Sequence, residues 1–223
     1  MNWSIFDIVG PVMIGPSSSH TSGAVRLGLF ARYLIGGLPT KADIYLHGSY
    51  AQVYKGHGTD IALVAGLLGH SPDDENAINS LEEAKKLKLQ YSFHLTDLGA
   101  DYHPNTAKFE LRRDDEKLEV IGESIGAGNI QIVEINKIRT NCIDGKYRAI
   151  IVSQLDKPGI IASVSDILST KKINIAQMTV SRNGRGKEAL SVLNIDNGVS
   201  QEIMEAIERV PAVNWAKLLP KLT

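Results

Sequence analysis

Arg148-Ala149-Ile150-Ile151-Val152, the turn Asp156-Lys157-Pro158-Gly159, and Ile160, Ile161, Val164, Ile167 and Leu168 at helical spacing make up the stretch on which the fold turns. An apolar run of strand length passes through a proline-glycine turn into an amphipathic helix. The next strand starts at Ile173 and continues through Asn174-Ile175-Ala176-Gln177-Met178-Thr179-Val180. Asn183-Gly184-Arg185-Gly186 then returns the chain along Ala189-Leu190-Ser191-Val192-Leu193-Asn194-Ile195, which is a hairpin signal. Ser200 caps a second helix with Ile203, Ala206, Ile207 and Val210 as its stripe, and Val213 to Leu219 reads as a last strand. The order is β-α-β-β-α-β, the ferredoxin-like arrangement.

Working outward, Asn136 to Gly145 reads as a polar connection between strands at Ile130 to Ile135 and Tyr147 to Gln154, and the domain boundary is placed there, giving domains of residues 1–140 and 147–223. The N-terminal part opens on Gly15-Pro16-Ser17-Ser18-Ser19-His20-Thr21-Ser22-Gly23, followed by Ala24, Leu27, Gly28, Ala31, Leu34 and Ile35 at helical spacing and a stop at Gly36-Gly37. Five hydroxyls and an imidazole therefore meet the free N–H groups and positive dipole end of a helix, a ready site for a small anion. Ala42, Ile44 and Leu46 alternate with Asp43, Tyr45 and His47 as a half-buried strand ending on His47-Gly48-Ser49. Gly56-His57-Gly58-Thr59-Asp60 precedes an apolar helix from Ile61 to Leu68, with Thr59 as its N-cap and Gly69 as its end. Ser80 to Lys86 is a charged, solvated helical piece, and short strands near Tyr91 to Leu95, Ala107 to Leu111 and Leu118 to Gly122 complete an α/β domain.

The 223 residues carry 24 basic and 25 acidic side chains, a net charge of -1 that favours neither nucleic acid nor an anionic membrane, so a small-molecule partner is expected. No targeting segment or apolar run of membrane-spanning length is apparent, and a cytoplasmic protein is expected. Cys142 is the only cysteine, which excludes an intrachain disulfide and an iron–sulfur cluster held by this chain alone. The six histidines include no pair at zinc-site spacing, so no metal ligand is assigned here.

Three histidines stand out by context. His57 is bracketed by glycines, which let the backbone approach a ligand and present an imidazole in a turn. His20 lies inside the hydroxyl cluster, either as a base or as an orienting group for the serines; His103-Pro104-Asn105 is either a plain turn or part of a site. Two nucleotide patterns fail. Gly10 to Gly15 has phosphate-loop spacing, but Pro16 stands where the lysine belongs; Gly126-Ala127-Gly128 begins a dinucleotide pattern, but Gln131 takes the third glycine's place.

Gly15-Pro16-Ser17-Ser18-Ser19-His20-Thr21, Gly56-His57-Gly58-Thr59-Asp60, His103-Pro104-Asn105 and Gly122-Glu123-Ser124-Ile125-Gly126-Ala127-Gly128 together resemble the β subunit of the two-chain, iron–sulfur-dependent L-serine dehydratases. The residues from about 147 onward resemble an ACT domain, with Asp156, Pro158 and Gly159 at its strand-to-helix turn and Asn174-Ile175 entering its second strand. The N-terminal domain is also similar to the extra domain of some phosphoglycerate dehydrogenases. The resemblance implies deamination of L-serine to pyruvate and ammonia, with a 4Fe-4S cluster held by a partner α chain. It points to His57 as the proton-handling residue, with Ser17, Ser18, Ser19, His20, Thr21, Thr59, His103 and Asn105 around the substrate. It further implies a homodimer contact through the ACT domains that binds L-serine or a related effector at Asp156, Pro158, Gly159, Asn174 and Ile175. The competing expectation is a non-catalytic amino-acid-sensing module that regulates a separate enzyme.

Overall fold

The computed structural model describes residues 12–222. Gly10 and Pro11, the first positions of the phosphate-loop spacing, lie outside them, as does the start of the N-terminal domain. The chain forms two units, one ending at Asn136 and the other starting at Lys137. Among the described residues no helix is long and apolar enough to cross a membrane.

In the first unit β1 (Lys41–His47), β2 (Gln90–Thr96), β3 (Thr106–Arg113), β4 (Glu116–Gly126) and β5 (Asn129–Ile135) lie in the order β2-β1-β3-β4-β5. β1 is parallel to β2 and antiparallel to β3. Ala42, Ile44 and Leu46 of β1 are fully buried while their neighbours are half-exposed, the period of two of a strand with one face on a core. The parallel pair requires a crossover. It is supplied by α2 (Ser49–Val53), α3 (Thr59–Leu68), a 3-10 turn (Glu75–Asn79) and α4 (Ser80–Lys86).

α1 (Gly23–Ile35) lies against the sheet, and Gly122 of β4 is small for that reason: a Cβ there would stand 2.5 Å from Leu27 Cδ2. α1 ends, as expected, on a left-handed glycine, Gly36, and α3 on Gly69. Two starts differ from expectation. A π-helical turn over Ser18–Ser22 runs straight into α1, so the hydroxyl cluster forms the helix's own first turn, with Ser17 as its cap. Gly58, at φ 65°, takes the N-cap of α3 that the sequence assigns to Thr59; Thr59 becomes the first helical residue and is fully buried.

The second unit contains β6 (Ile138–Ile143), β7 (Arg148–Leu155), α5 (Ile160–Thr170), β8 (Ile175–Arg182), β9 (Glu188–Ile195), α6 (Gln201–Glu208) and β10 (Val213–Leu219). β7 to β10 form an antiparallel sheet in the order β10-β7-β9-β8, the ferredoxin-like topology expected. Ile150, Val152, Leu193 and Ile195 from the sheet meet Ile160, Val164 and Leu168 of α5 and Ile203 and Ile207 of α6 in one core. β6 corrects the sequence reading, which took residues 136–145 as a connection. Ile138, Thr140 and Cys142 are buried there and Arg139 and Asn141 exposed, and Asn194 Nδ2 donates to Cys142 O at 3.0 Å.

Candidate active site

Two helix starts are brought side by side by a glycine contact. α1 and α3 cross at Gly28 and Gly66: a Cβ on Gly28 would lie 2.3 Å from Leu63 O, and one on Gly66 2.1 Å from Val25 O. Such an approach is open only to residues without a side chain. It sets the turn Ser17–His20 beside the turn Gly56–Thr59, and Thr21 Oγ1 donates to His57 O at 3.3 Å.

The hydroxyls of Ser17 and Ser19 face the His20 imidazole. Ser17 Oγ accepts from His20 N–H at 3.2 Å and lies 3.4 Å from Nδ1, and Ser19 Oγ lies 3.0 Å from the same nitrogen. On the far side of the ring, Ser49 Oγ is 3.1 Å from Nε2. Ser18 occupies the same turn, half-buried, with its carbonyl accepting from Gly23 N–H. The His20 and His57 rings lie 4.8 Å apart between centroids. Burial, and then the neighbouring His57, hold the His20 imidazole below its ordinary pKa, which favours its neutral form.

The third motif arrives from the sheet. His103 N–H donates to Glu123 Oε1 at 3.0 Å, and Asn105 N–H donates to His103 Nδ1 at 3.1 Å, which leaves the proton of a neutral His103 on Nε2. Asn105 O accepts from Ser124 N–H at 2.9 Å, and Pro104 O accepts from Tyr50 N–H at 3.3 Å. Tyr50 Oη and Ser124 Oγ, both fully buried, then donate to the same acceptor, Ser19 O, at 2.8 and 2.9 Å. Burial pushes the Tyr50 phenol up, so it remains a donor. Gly23 admits this closure, since a Cβ there would lie 2.1 Å from Ser124 Oγ. Ser49, Tyr50 and Ser124 are the residues that sequence reasoning did not assign to the site. Gly48, at φ 58°, is the signal that marks the turn carrying Ser49 and Tyr50; Ser124 lies within β4 and has no such mark.

A cleft of about 230 Å³ opens beside His57, walled by Ile14, Pro16, Val25, Ile61 and Ile78, with Thr21 and His57 as polar members. His57 Nδ1 and Thr59 Oγ1 are buried and have no hydrogen-bond partner among the described residues. A buried polar atom left without a partner costs free energy unless a ligand supplies one; Ser22 Oγ, Thr140 Oγ1, Gln154 Oε1 and Ser191 Oγ share that state, and of all these residues His57 is the one that lines the cleft. Among the described residues no group of three or more His, Cys, Asp or Glu side chains is arranged to hold a metal ion, and Cys142 is a lone buried thiol in the second unit. An iron–sulfur cluster, which takes three or four thiolates, does not fit this chain.

In the second unit the five candidate effector residues fall into two groups. Asp156 Oδ2 accepts from Arg182 Nη1 at 2.7 Å and from Gly186 N–H at 3.0 Å, beside Pro158 and the left-handed Gly159. The Gly186 N–H, then Arg182, hold the Asp156 carboxyl below the usual range. Asn174 Nδ2 donates to Asp196 Oδ2 at 2.6 Å, next to Ile175. Because Ile175 pairs with Ile195 and Arg182 with Ala189, the groups lie at opposite ends of β8. Seven residue steps separate them by roughly 23 Å, too far for one amino acid on one chain.

The first unit thus carries a histidine pair at two abutting helix starts, and the second unit is a ferredoxin-like fold. Residues 4–134 match the family model for the serine dehydratase beta chain and residues 148–212 that for the ACT domain. The chain belongs to the L-serine dehydratase β-chain family. It is 40% identical to a probable L-serine dehydratase beta chain of Bacillus subtilis, with 94% of each chain covered. It is 38% identical to the L-serine dehydratase beta chain of Peptoniphilus asaccharolyticus, with 97% of each covered. A D-3-phosphoglycerate dehydrogenase of Methanocaldococcus jannaschii is 32% identical over 85% of this chain and 36% of its own length.

Proposed function

We propose that the chain is the substrate-handling half of a two-chain L-serine dehydratase, with residues 1–140 as its substrate domain and 147–223 as its effector domain. The observation that carries this is the His57 ring beside the His20 ring at the paired helix starts, its Nδ1 without a hydrogen-bond partner among the described residues. In this reading the substrate carboxylate lies at the first turn of α1, among Ser17, Ser18, Ser19 and Thr21, where N–H groups and the helix dipole favour an anion. His20 and Thr59 support that turn, and His103 and Asn105 close the third side. His57 takes the α-proton as a positioned general base. Loss of that proton and of the β-hydroxyl, as water, leaves aminoacrylate; its tautomer takes up water to give pyruvate and ammonia. The 4Fe-4S cluster implied by the family is assigned to the α chain. A reducing cytoplasm suits both it and the single free thiol here.

The test is reconstitution. The purified chain alone is expected to be colourless, iron-free and inactive, and pyruvate is expected to form only on anaerobic addition of the α chain. Serine deamination by the iron-free chain alone would overturn the assignment. The similarity to a phosphoglycerate dehydrogenase favours a second reading, a sensing module without catalysis, and reconstituted enzyme indifferent to His57 would select it.

For the second unit we propose a side-by-side homodimer, because only two copies running in opposite directions bring Asp156, Pro158 and Gly159 of one chain to Asn174 and Ile175 of the other. Equilibrium dialysis of the full chain is expected to show L-serine bound at millimolar concentration, and sedimentation to show a dimer. A monomer that binds L-serine with the same affinity would sink the shared site.

A further inference from the structure

His20 is gripped from one short segment. Ser49, the first residue of α2, meets its Nε2 at 3.1 Å, and the next residue, Tyr50, donates its hydroxyl to Ser19 O and lies edge-on to the His20 ring, 5.3 Å between centroids. The backbone that delivers them has little freedom. Gly48 sits at φ 58° and ψ −124°, a conformation that residues with a Cβ rarely adopt, and a Cβ there would stand 2.6 Å from Pro104 O. The His103–Asn105 turn is thereby pressed against the point where Ser49 leaves β1.

A neutral imidazole has one N–H and one lone pair, while a hydroxyl can serve either. With Ser19 on Nδ1 and Ser49 on Nε2, both His20 nitrogens are satisfied without an ionised partner, and the ring is pinned from two sides. Among the described residues, the titratable groups set against this ring are His57, from the turn before α3, and Tyr50, from α2. A cation at His20 would oppose a second cation at His57, 4.8 Å away.

We propose that Ser49 is a positioning residue: through His20 Nε2 it holds that ring in one tautomer and one orientation beside His57, which carries the proton taken from the substrate. This rests on the reading of His57 as the proton acceptor. Ser49 acts through His20 and touches no reacting atom.

The experiment compares Ser49→Ala and Ser49→Thr in two measurements. Nitrogen NMR of the chain labelled at histidine, with His20 identified by its loss in His20→Asn, is expected to show one tautomer in the parent, a mixture in Ser49→Ala and the parent pattern in Ser49→Thr. In the enzyme reconstituted with the α chain, Ser49→Ala is expected to lower kcat by roughly tenfold to a hundredfold, with KM for L-serine changed far less, and Ser49→Thr to restore most of it. Unaltered His20 signals, or altered signals with parental kcat, would overturn the proposal. Failure of the underlying reading is told apart by His57→Ala: full turnover there removes the proton acceptor, while the tautomer result still reports what Ser49 does to His20.

Discussion

Reconstituted enzyme carrying His57→Ala is expected to lose about 10²- to 10⁴-fold in kcat, the range a positioned general base supplies. The fold gives three reasons to expect the loss in the chemical step and not in assembly. His57 is half-buried in a turn and contributes nothing to the α1–α3 contact, which runs through Gly28 and Gly66. The bond from the helix start to this residue, Thr21 Oγ1 to His57 O, uses the backbone carbonyl and survives the substitution. Among the described residues Nδ1 has no hydrogen-bond partner, so removing the ring leaves no partner of that nitrogen unpaired there. The variant is therefore expected to bind the α chain and to show the same visible cluster absorption as the parent, with KM for L-serine altered much less than kcat. Parental turnover would remove His57 from the chemistry and transfer the weight to the sensing-module reading. A variant that fails to assemble would show that the ring's place is structural, against the geometry just described.

The parts of the molecule legible in the sequence are those whose signal is local. The β-α-β-β-α-β order follows from alternation and turn residues within a few positions, and it is what the second unit shows. The Gly56-His57-Gly58 bracket announces a turn, and Gly58 does adopt a positive φ. The same glycine explains the misread cap, since a left-handed residue before the helix displaced Thr59 inward and buried its hydroxyl. β6 escaped because its inward positions are Ile138, Thr140 and Cys142, two of them weakly apolar, so the alternation is blurred. Ser49, Tyr50 and Ser124 escaped for a different reason. Their partners lie 29, 31 and 105 residues away in the chain, and no pattern in a window of sequence reports a contact made by the crossover and by β4. The effector residues show the converse limit: the positions lie where the resemblance implied, but strand register puts the two groups at opposite ends of β8.

Gly66→Ala is expected to destabilise the first unit, although the same exchange in an exposed helix interior stabilises by about 1 kcal/mol. The reversal of sign is what makes it informative. At Gly66 the added methyl would stand 2.1 Å from Val25 O, 2.6 Å from Leu29 N and 2.7 Å from Gly28 Cα. All three are backbone atoms of α1, so no side chain can swing away, and relief comes only by moving the two helices apart. Overpacking of this kind costs about 1–3 kcal/mol, and here the backbone contacts argue for the upper end. In a chain of this size about 3 kcal/mol corresponds to a fall in Tm of roughly 6–12 °C, read by thermal unfolding. Function is expected to fail with it, because the helices that must separate carry the site on their first turns: widening their crossing draws His57 away from His20 and weakens the Thr21–His57 bond. A variant with parental kcat but a lower Tm would mean that the two starts are held by their loops. One more stable than the parent would show that α1 and α3 do not meet at this glycine at all.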